Sequence, residues 1–135
     1  MSPWQSPQAI PPSGAGITPE VADRLARAAQ AAGHRVVRLD LGSCRDKPAL
    51  LAALARAFAF PDWFGHNWDA LADSLGDLAW LPAPGYLLLV SGCATPATAC
   101  PDDWHSLGEI LDETADTLAQ DGRAWVWHRI EPAPC

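Results

Sequence analysis

Three apolar runs with the composition of strands recur along the chain, each parted from the next by helical sequence, and this alternation limits the fold more than any other feature. Residues 34–41 read HRVVRLDL, with β-branched residues in the middle. Residues 86–90 read YLLLV, a continuous apolar run of the kind that is covered on both faces. Residues 124–130 read AWVWHRI, with aromatic residues at alternate positions. Strands separated by helices need crossover connections, and crossovers produce parallel pairing. The expected class is therefore α/β: a small, mostly parallel three-stranded sheet packed by about four helices, without an internal repeat.

The helical stretches carry their own punctuation. Thr18 suits an N-cap, Pro19 the first helical position and Glu20 the positive end. Val21, Leu25 and Ala28 then repeat at helical spacing until Gly33 ends the run. Asp46-Lys47-Pro48 opens a second helix with Leu50, Leu51, Leu54 and Phe58 on its apolar side, and Pro61 stops it. Asn67 caps a third helix that reaches about Leu78. Pro82, Pro84 and Gly85 mark a turn, and residues 93–101 read as a loop. Asp102 or Asp103 then caps a fourth helix, with Leu107, Ile110, Leu111, Thr114 and Leu118 on one side and Glu109, Asp112, Glu113 and Asp116 on the other. Residues 1–16, with four prolines, read as a loop or loosely held arm, residues 17–131 as one domain, and 132–135 as a tail.

Sixteen acidic residues against nine basic ones give a formal net charge of −7. That balance disfavours direct nucleic-acid binding, which needs a positive surface to displace counterions. It suits a basic protein partner, although solubility alone also explains an acidic chain. The cysteines at 44, 93, 100 and 135 form no C-x-x-C pair and do not neighbour histidines at zinc-finger spacing, so no metal or cofactor is expected. The N-terminal residues lack the basic start and apolar run of a secretory leader, and no segment approaches the roughly 20 apolar residues of a membrane span. The expectation is a cytoplasmic protein with reduced thiols.

The stretch FPDWFGHNWDALADSLGDLAW, residues 60–80, stands apart. At about 100° per residue, Leu71, Leu75 and Leu78 share one side of a helix, and Asp69, Asp73 and Asp77 form a drifting row opposite them. Trp68 and Ala72 lie on the border. Like charges four residues apart repel by a few tenths of a kcal/mol, so the row is a poor stabilising device. The helix macrodipole accounts for Asp69 near the start, but not for Asp73 or Asp77. A solvated acidic face would give the same row. The flanking Trp63, Phe64, Trp68 and Trp80 give it the composition of a protein-binding hot spot, and Gly65 is expected to permit an unusual backbone angle before the cap.

These residues resemble the barstar family of ribonuclease inhibitors. The resemblance runs from the strand RVVRLDL through DKPALLAALARAF into FPDWFGHNWDALADSL, and more weakly to Arg129, leaving residues 1–33 outside as an N-terminal extension. It implies a compact α/β fold with a three-stranded parallel sheet. It also implies a one-to-one complex with a basic, barnase-type ribonuclease or another nuclease toxin, in which the acidic helix and the loop before it enter the nuclease cleft. Asp69 and Asp73 match the family's contact carboxylates. Trp63, Gly65 and Asn67 match loop and cap positions, and Trp68 replaces an aliphatic contact. Two departures are visible: a family tryptophan is Ala72 here, and an acidic contact of the last helix falls on Thr117, with Asp116 or Glu113 as substitutes.

Under this reading Asp69, Asp73, Asn67, Gly65, Trp63, Trp68, Asp77 and Trp80 bind the partner, and the chain is an immunity protein or antitoxin without catalytic residues. Two other classes use the same segment. A regulatory or scaffold domain would offer the acidic-aromatic surface to a non-nuclease partner. A metal-dependent hydrolase would need His66 to turn toward Asp69 and Asp73, a set short of ligands.

Overall fold

The computed structural model describes residues 13–62 and 64–131. The elements follow in the order β1 (Gly16–Ile17), α1 (Pro19–Ala31), β2 (Arg35–Asp40), α2 (Lys47–Ala57), α3 (Trp68–Asp77), β3 (Gly85–Ser91), α4 (Ala94–Ala99), α5 (Pro101–Ala119) and β4 (Ala124–Ile130). The expected strands and principal helices are present, and the class is α/β.

All pairings are parallel, and the sheet order is β1-β4-β3-β2. The register sets Val37 beside Leu88 and Leu88 beside Trp127. From β2 the chain steps to β3 and then β4 in one direction, so right-handed crossovers put α2, α3 and α5 on one face. The connection from β1 to β2 runs back across the sheet, and the same hand puts α1 on the other face.

Two apolar layers result. The larger joins Leu50, Leu51 and Leu54 of α2, Leu71 and Leu75 of α3, and Leu107, Leu111 and Leu118 of α5 to Val37, Leu39, Tyr86, Leu88, Val90, Trp125 and Trp127 of the sheet. The smaller joins Ala22, Leu25, Ala26 and Ala29 of α1 to Ile17, Leu87, Leu89 and Val126. β3 contributes to both layers, which explains its unbroken apolar sequence. Two tryptophan N–H groups fasten α5 to β4: Trp125 Nε1 donates to the Leu111 carbonyl at 2.8 Å, and Trp127 Nε1 donates to Asp112 Oδ1 at 2.8 Å.

Several expectations need correction. The sheet has four strands, because the two-residue β1 pairs with β4. A segment this short carries no periodicity that sequence can reveal. Residues 13–16, assigned to a loose arm, are tied to β4: Gly14 N donates to the Trp127 carbonyl, and the Ser13 hydroxyl accepts from Trp127 N. Residues 1–12 and the tail at 132–135 lie outside the described residues. The loop expected at 93–101 contains the short α4, whose Pro96 sits in the first turn, where a missing N–H costs nothing. Neither Asp102 nor Asp103 caps α5. Pro101 is its first residue, no side chain caps it, and the two aspartates instead occupy the positive first turn. In α1 the buried residues are Ala22, Leu25, Ala26 and Ala29, while Val21 and Ala28 are half-buried. The small alanines let the helix lie close to the sheet.

Candidate functional site

The site begins with a cap. Asn67 has an extended backbone (φ −142°), and its Oδ1 accepts from Ala70 N at 2.8 Å. Its Nδ2 donates back to the Gly65 carbonyl at 2.8 Å. One side chain thus satisfies an orphan N–H of α3 and fixes the preceding loop. Gly65 does not have the unusual angle expected of it. The left-handed residue is His66, at φ 41°. What Gly65 provides is room, since a Cβ there would meet Asn67 Nδ2 at 3.3 Å and the Ala70 methyl at 3.5 Å. Phe64 is buried and packs on Phe60 (ring centroids 4.7 Å apart) and on His66 (4.9 Å), so the loop is anchored beneath the cap. Trp63 lies outside the described residues.

From this start α3 divides as its sequence predicts. Leu71, Leu75 and the C-capping Leu78 are fully buried, each contributing about 1.5–3 kcal/mol by leaving water. Asp69, Asp73 and Asp77 are exposed. Among the described residues no ion pair or side-chain hydrogen bond engages their carboxylates. Trp68 is half-buried at the border, and Lys47 Nζ lies 5.3 Å from its ring centroid. That cation covers Trp68 and helps fix its plane. Trp80 is built into the fold: it meets Phe60 edge-on at 5.9 Å, and its Nε1 donates to the Phe58 carbonyl at 3.0 Å.

Two shallow hollows flank the row. One, of about 300 Å³, is lined by Gly65, Ala70, Asp73, Ser74 and Asp77. The other, of about 270 Å³, lies between α3 and α5 and brings Asp69, Trp68 and Ala72 together with Glu109, Ile110 and Glu113. Of the two substitutes left open by sequence, Glu113 lines this hollow, beside Glu109, and Asp116 does not. Thr117 is instead packed on α3, where a Cβ on Gly76 would come within 2.8 Å of its methyl. Glu109 was not singled out from sequence. Its signal was there, one turn before Glu113 on the same side of the helix. A hollow of about 400 Å³ bounded by Trp104, Trp127 and Arg129 shares Glu109 with the one between α3 and α5 and contains none of the α3 aspartates.

His66 is exposed, with its ring against Phe64. Among the described residues no three His, Cys, Asp or Glu side chains are grouped so as to hold a metal ion. The described thiols of Cys44, Cys93 and Cys100 are free. Among the described residues no helix is long and apolar enough to cross a membrane.

The site is thus a capped helix with leucine inward and carboxylate outward, entered from a loop anchored by Phe64. The family model of Barstar (barnase inhibitor) matches residues 34–128. The chain belongs to the barstar family. A search of curated proteins returns no significant match. The barstar match takes in β2 through most of β4, and with them the whole acidic face, whereas β1 and α1 lie before its start. The layer that α1 forms on the second face of the sheet is thus an addition to the matched barstar region.

Proposed function

We propose that this protein inhibits a ribonuclease by placing the Asp69–Asp73 side of α3, and the loop before it, in the basic cleft of the enzyme. The observation that carries the reading is the exposure of two rigidly mounted carboxylates that no group of the described chain neutralises. A ribonuclease cleft presents Arg, Lys and His donors built for phosphate. A fixed carboxylate offers those donors the same acceptor geometry, bidentate in the case of Arg. Asp73 takes the deepest position, as a phosphate surrogate, and Asp69 meets an adjacent cation. Trp68, Asn67 and Gly65 form the collar, with Asp77 and the half-buried Trp80 at its margin, and Trp63 is a further contact of this reading. The net charge of −7 speeds encounter with a basic enzyme. The complex is one-to-one, the protein has no catalytic step of its own, and its place is the cytoplasm, where an immunity protein must act before its toxin is exported.

The test is inhibition of RNA cleavage by barnase, with wild type beside the Asp69→Ala/Asp73→Ala double variant. Stoichiometric inhibition that weakens steeply with salt and is lost in the double variant is expected. Absence of inhibition overturns the reading. Binding that leaves cleavage unchanged overturns it as well, and favours a regulatory or scaffold role for the same face.

A further inference from the structure

Among the described residues, His128 is the buried side chain whose polar atoms lack a well-formed hydrogen bond: the residue is 0% exposed, and the ring has only the Ala15 carbonyl nearby, out of good hydrogen-bond geometry. Its place follows from the strand period. Along β4, Trp125 and Trp127 enter the larger layer, while Val126 enters the smaller one beneath α1. His128 points with Val126. Its register partner on β3 is Leu89, a member of the same layer. On its other side runs the segment leading into β1, where the Ala15 carbonyl already accepts from Arg129 N at 3.2 Å.

Among the described residues no counter-charge pairs with this imidazole. β1 gives the layer Ile17, and β3 gives Leu87 and Leu89. The ionisable residues of α1, Glu20, Asp23, Arg24 and Arg27, are all exposed, and Arg38 of β2, in register with Leu89, turns outward to pair with Asp23. Arg129, next to it on β4, turns its Nε to the Gly14 carbonyl. Burial therefore pushes the His128 imidazole below its ordinary value of 6.5, with the Ala15 carbonyl pulling weakly the other way. An imidazolium here would be a charge in an apolar layer, so the layer must open to hydrate it.

The layer that gives way is set by size. α1 buries three alanines, Ala22, Ala26 and Ala29, and one leucine, Leu25, with half-buried Val21, Ala28 and Ala32 and an exposed Asp23–Arg38 pair to β2 at 3.1 Å, and its strand β1 has two residues. The opposite layer holds eight buried leucines from α2, α3 and α5. Local opening takes the cheaper route. We propose that His128 is a proton-operated latch: its protonation releases β1 and α1 from the sheet while the layer of α2, α3 and α5 stays folded. The chain outside the matched region is thus a cover that opens in acid, independently of what the acidic face binds.

Hydrogen exchange of the full chain, corrected for intrinsic rate, tests this between pH 7.5 and 4.5. Protection of α1 is expected to fall at least tenfold through a midpoint below 6.5, with α3 and α5 still protected. The fall should follow the imidazole resonance of His128 seen by NMR. In His128→Leu and His128→Gln, two non-titrating replacements, the pH step should vanish. Should both variants fail to fold, the wild-type comparison decides: titration of His128 without loss of α1 protection overturns the latch. So does unchanged protection in wild type down to pH 4.5, opening of α1 together with α3, or an equal pH step in either variant.

Discussion

The guanidinium of Arg123 donates to the main-chain carbonyl of Asp77 at 2.8 Å, so the residue that leads into β4 closes the last turn of the acidic helix. Its second nitrogen reaches the Gly76 carbonyl at 3.5 Å and Asp121 Oδ2 at 2.9 Å. These contacts explain how α3 tolerates Asp77 at its negative end: a cation sits on the orphan carbonyls beside it. They also join α3 to the sheet, which holds the carboxylate row still.

Arg123→Ala leaves those carbonyls without a donor and should lower stability by about 1–3 kcal/mol. Urea unfolding followed by tryptophan fluorescence measures it. An unchanged midpoint would show that water replaces the guanidinium at no cost, and that the helix end is fixed by packing alone.

At the other end of α3, Asn67→Ala removes both the cap on Ala70 N and the donor to Gly65. The expected loss is about 1 kcal/mol. Asn67→Asp separates the two roles, because a carboxylate caps Ala70 but cannot donate. It should retain most of the stability while loosening the loop at 64–66, seen as faster amide exchange at Gly65 and His66. Equal stability loss in the two variants would contradict this division.

Asp73 lies one turn from both Asp69 and Asp77, and none of the three carboxylates has a partner among the described residues. Asp73→Asn relieves repulsion of a few tenths of a kcal/mol, so the thermal midpoint should stay level or rise. Affinity for barnase should fall at least tenfold, equivalent to about 1.4 kcal/mol. A clear drop in the midpoint would mean that Asp73 holds the fold together, and its assignment to the interface would lapse.

Much of this could be read from the chain because local signals and tertiary packing agree. Thr18, Asp46 and Asn67 each cap the helix that follows. The leucines of α3 are all inside and its aspartates all outside. Where reading failed, the deciding force was not local. β1 exists because a neighbouring strand offers it partners, and nothing in Gly16–Ile17 announces that. α4 is six residues of small side chains and a proline, and what it buries is Pro96. Gly65 suggests freedom of angle, but its neighbour His66 takes the left-handed conformation, and the glycine provides clearance. The meeting of Glu109 and Glu113 with Asp69 depends on how α3 and α5 pack, which no single-helix pattern encodes.

Gly92 is a place where backbone and packing both require glycine. Its φ is +70°, and a Cβ would fall 2.4 Å from Gly42 N and 2.7 Å from Gly42 Cα. The turn after β3 therefore lies against the turn after β2, backbone to backbone. Gly92→Ala adds left-handed strain of about 1 kcal/mol and a clash that no side-chain rotation relieves. Its thermal midpoint should fall well below that of Gly33→Ala. Gly33 has a similar φ of +80°, but a Cβ there meets nothing within 4 Å. Equal losses in the two would show that the close approach contributes nothing.

The thiol of Cys93 makes the alkaline limb of stability predictable. Burial pushes it up from 9.0 to about 11, against a weaker opposing pull from Arg129. Its Sγ also points a donor at the Val90 carbonyl, at 3.7 Å, and ionisation would remove that donor. The folded state therefore holds the proton more tightly than the unfolded chain does. Stability from this group is fully present below pH 9, where both states are protonated. It is lost as pH rises from 9 towards 11, because the unfolded chain ionises first. Cys93→Ala should be less sensitive to alkali than wild type over that window, measured as the difference in thermal midpoint between pH 8 and pH 10.5. At pH 8 the native thiol should also react with iodoacetamide many times more slowly than in urea, since the thiolate is the nucleophile. Rapid native alkylation at Cys93, together with an alkaline slope that survives Cys93→Ala, would place the sensitive group elsewhere.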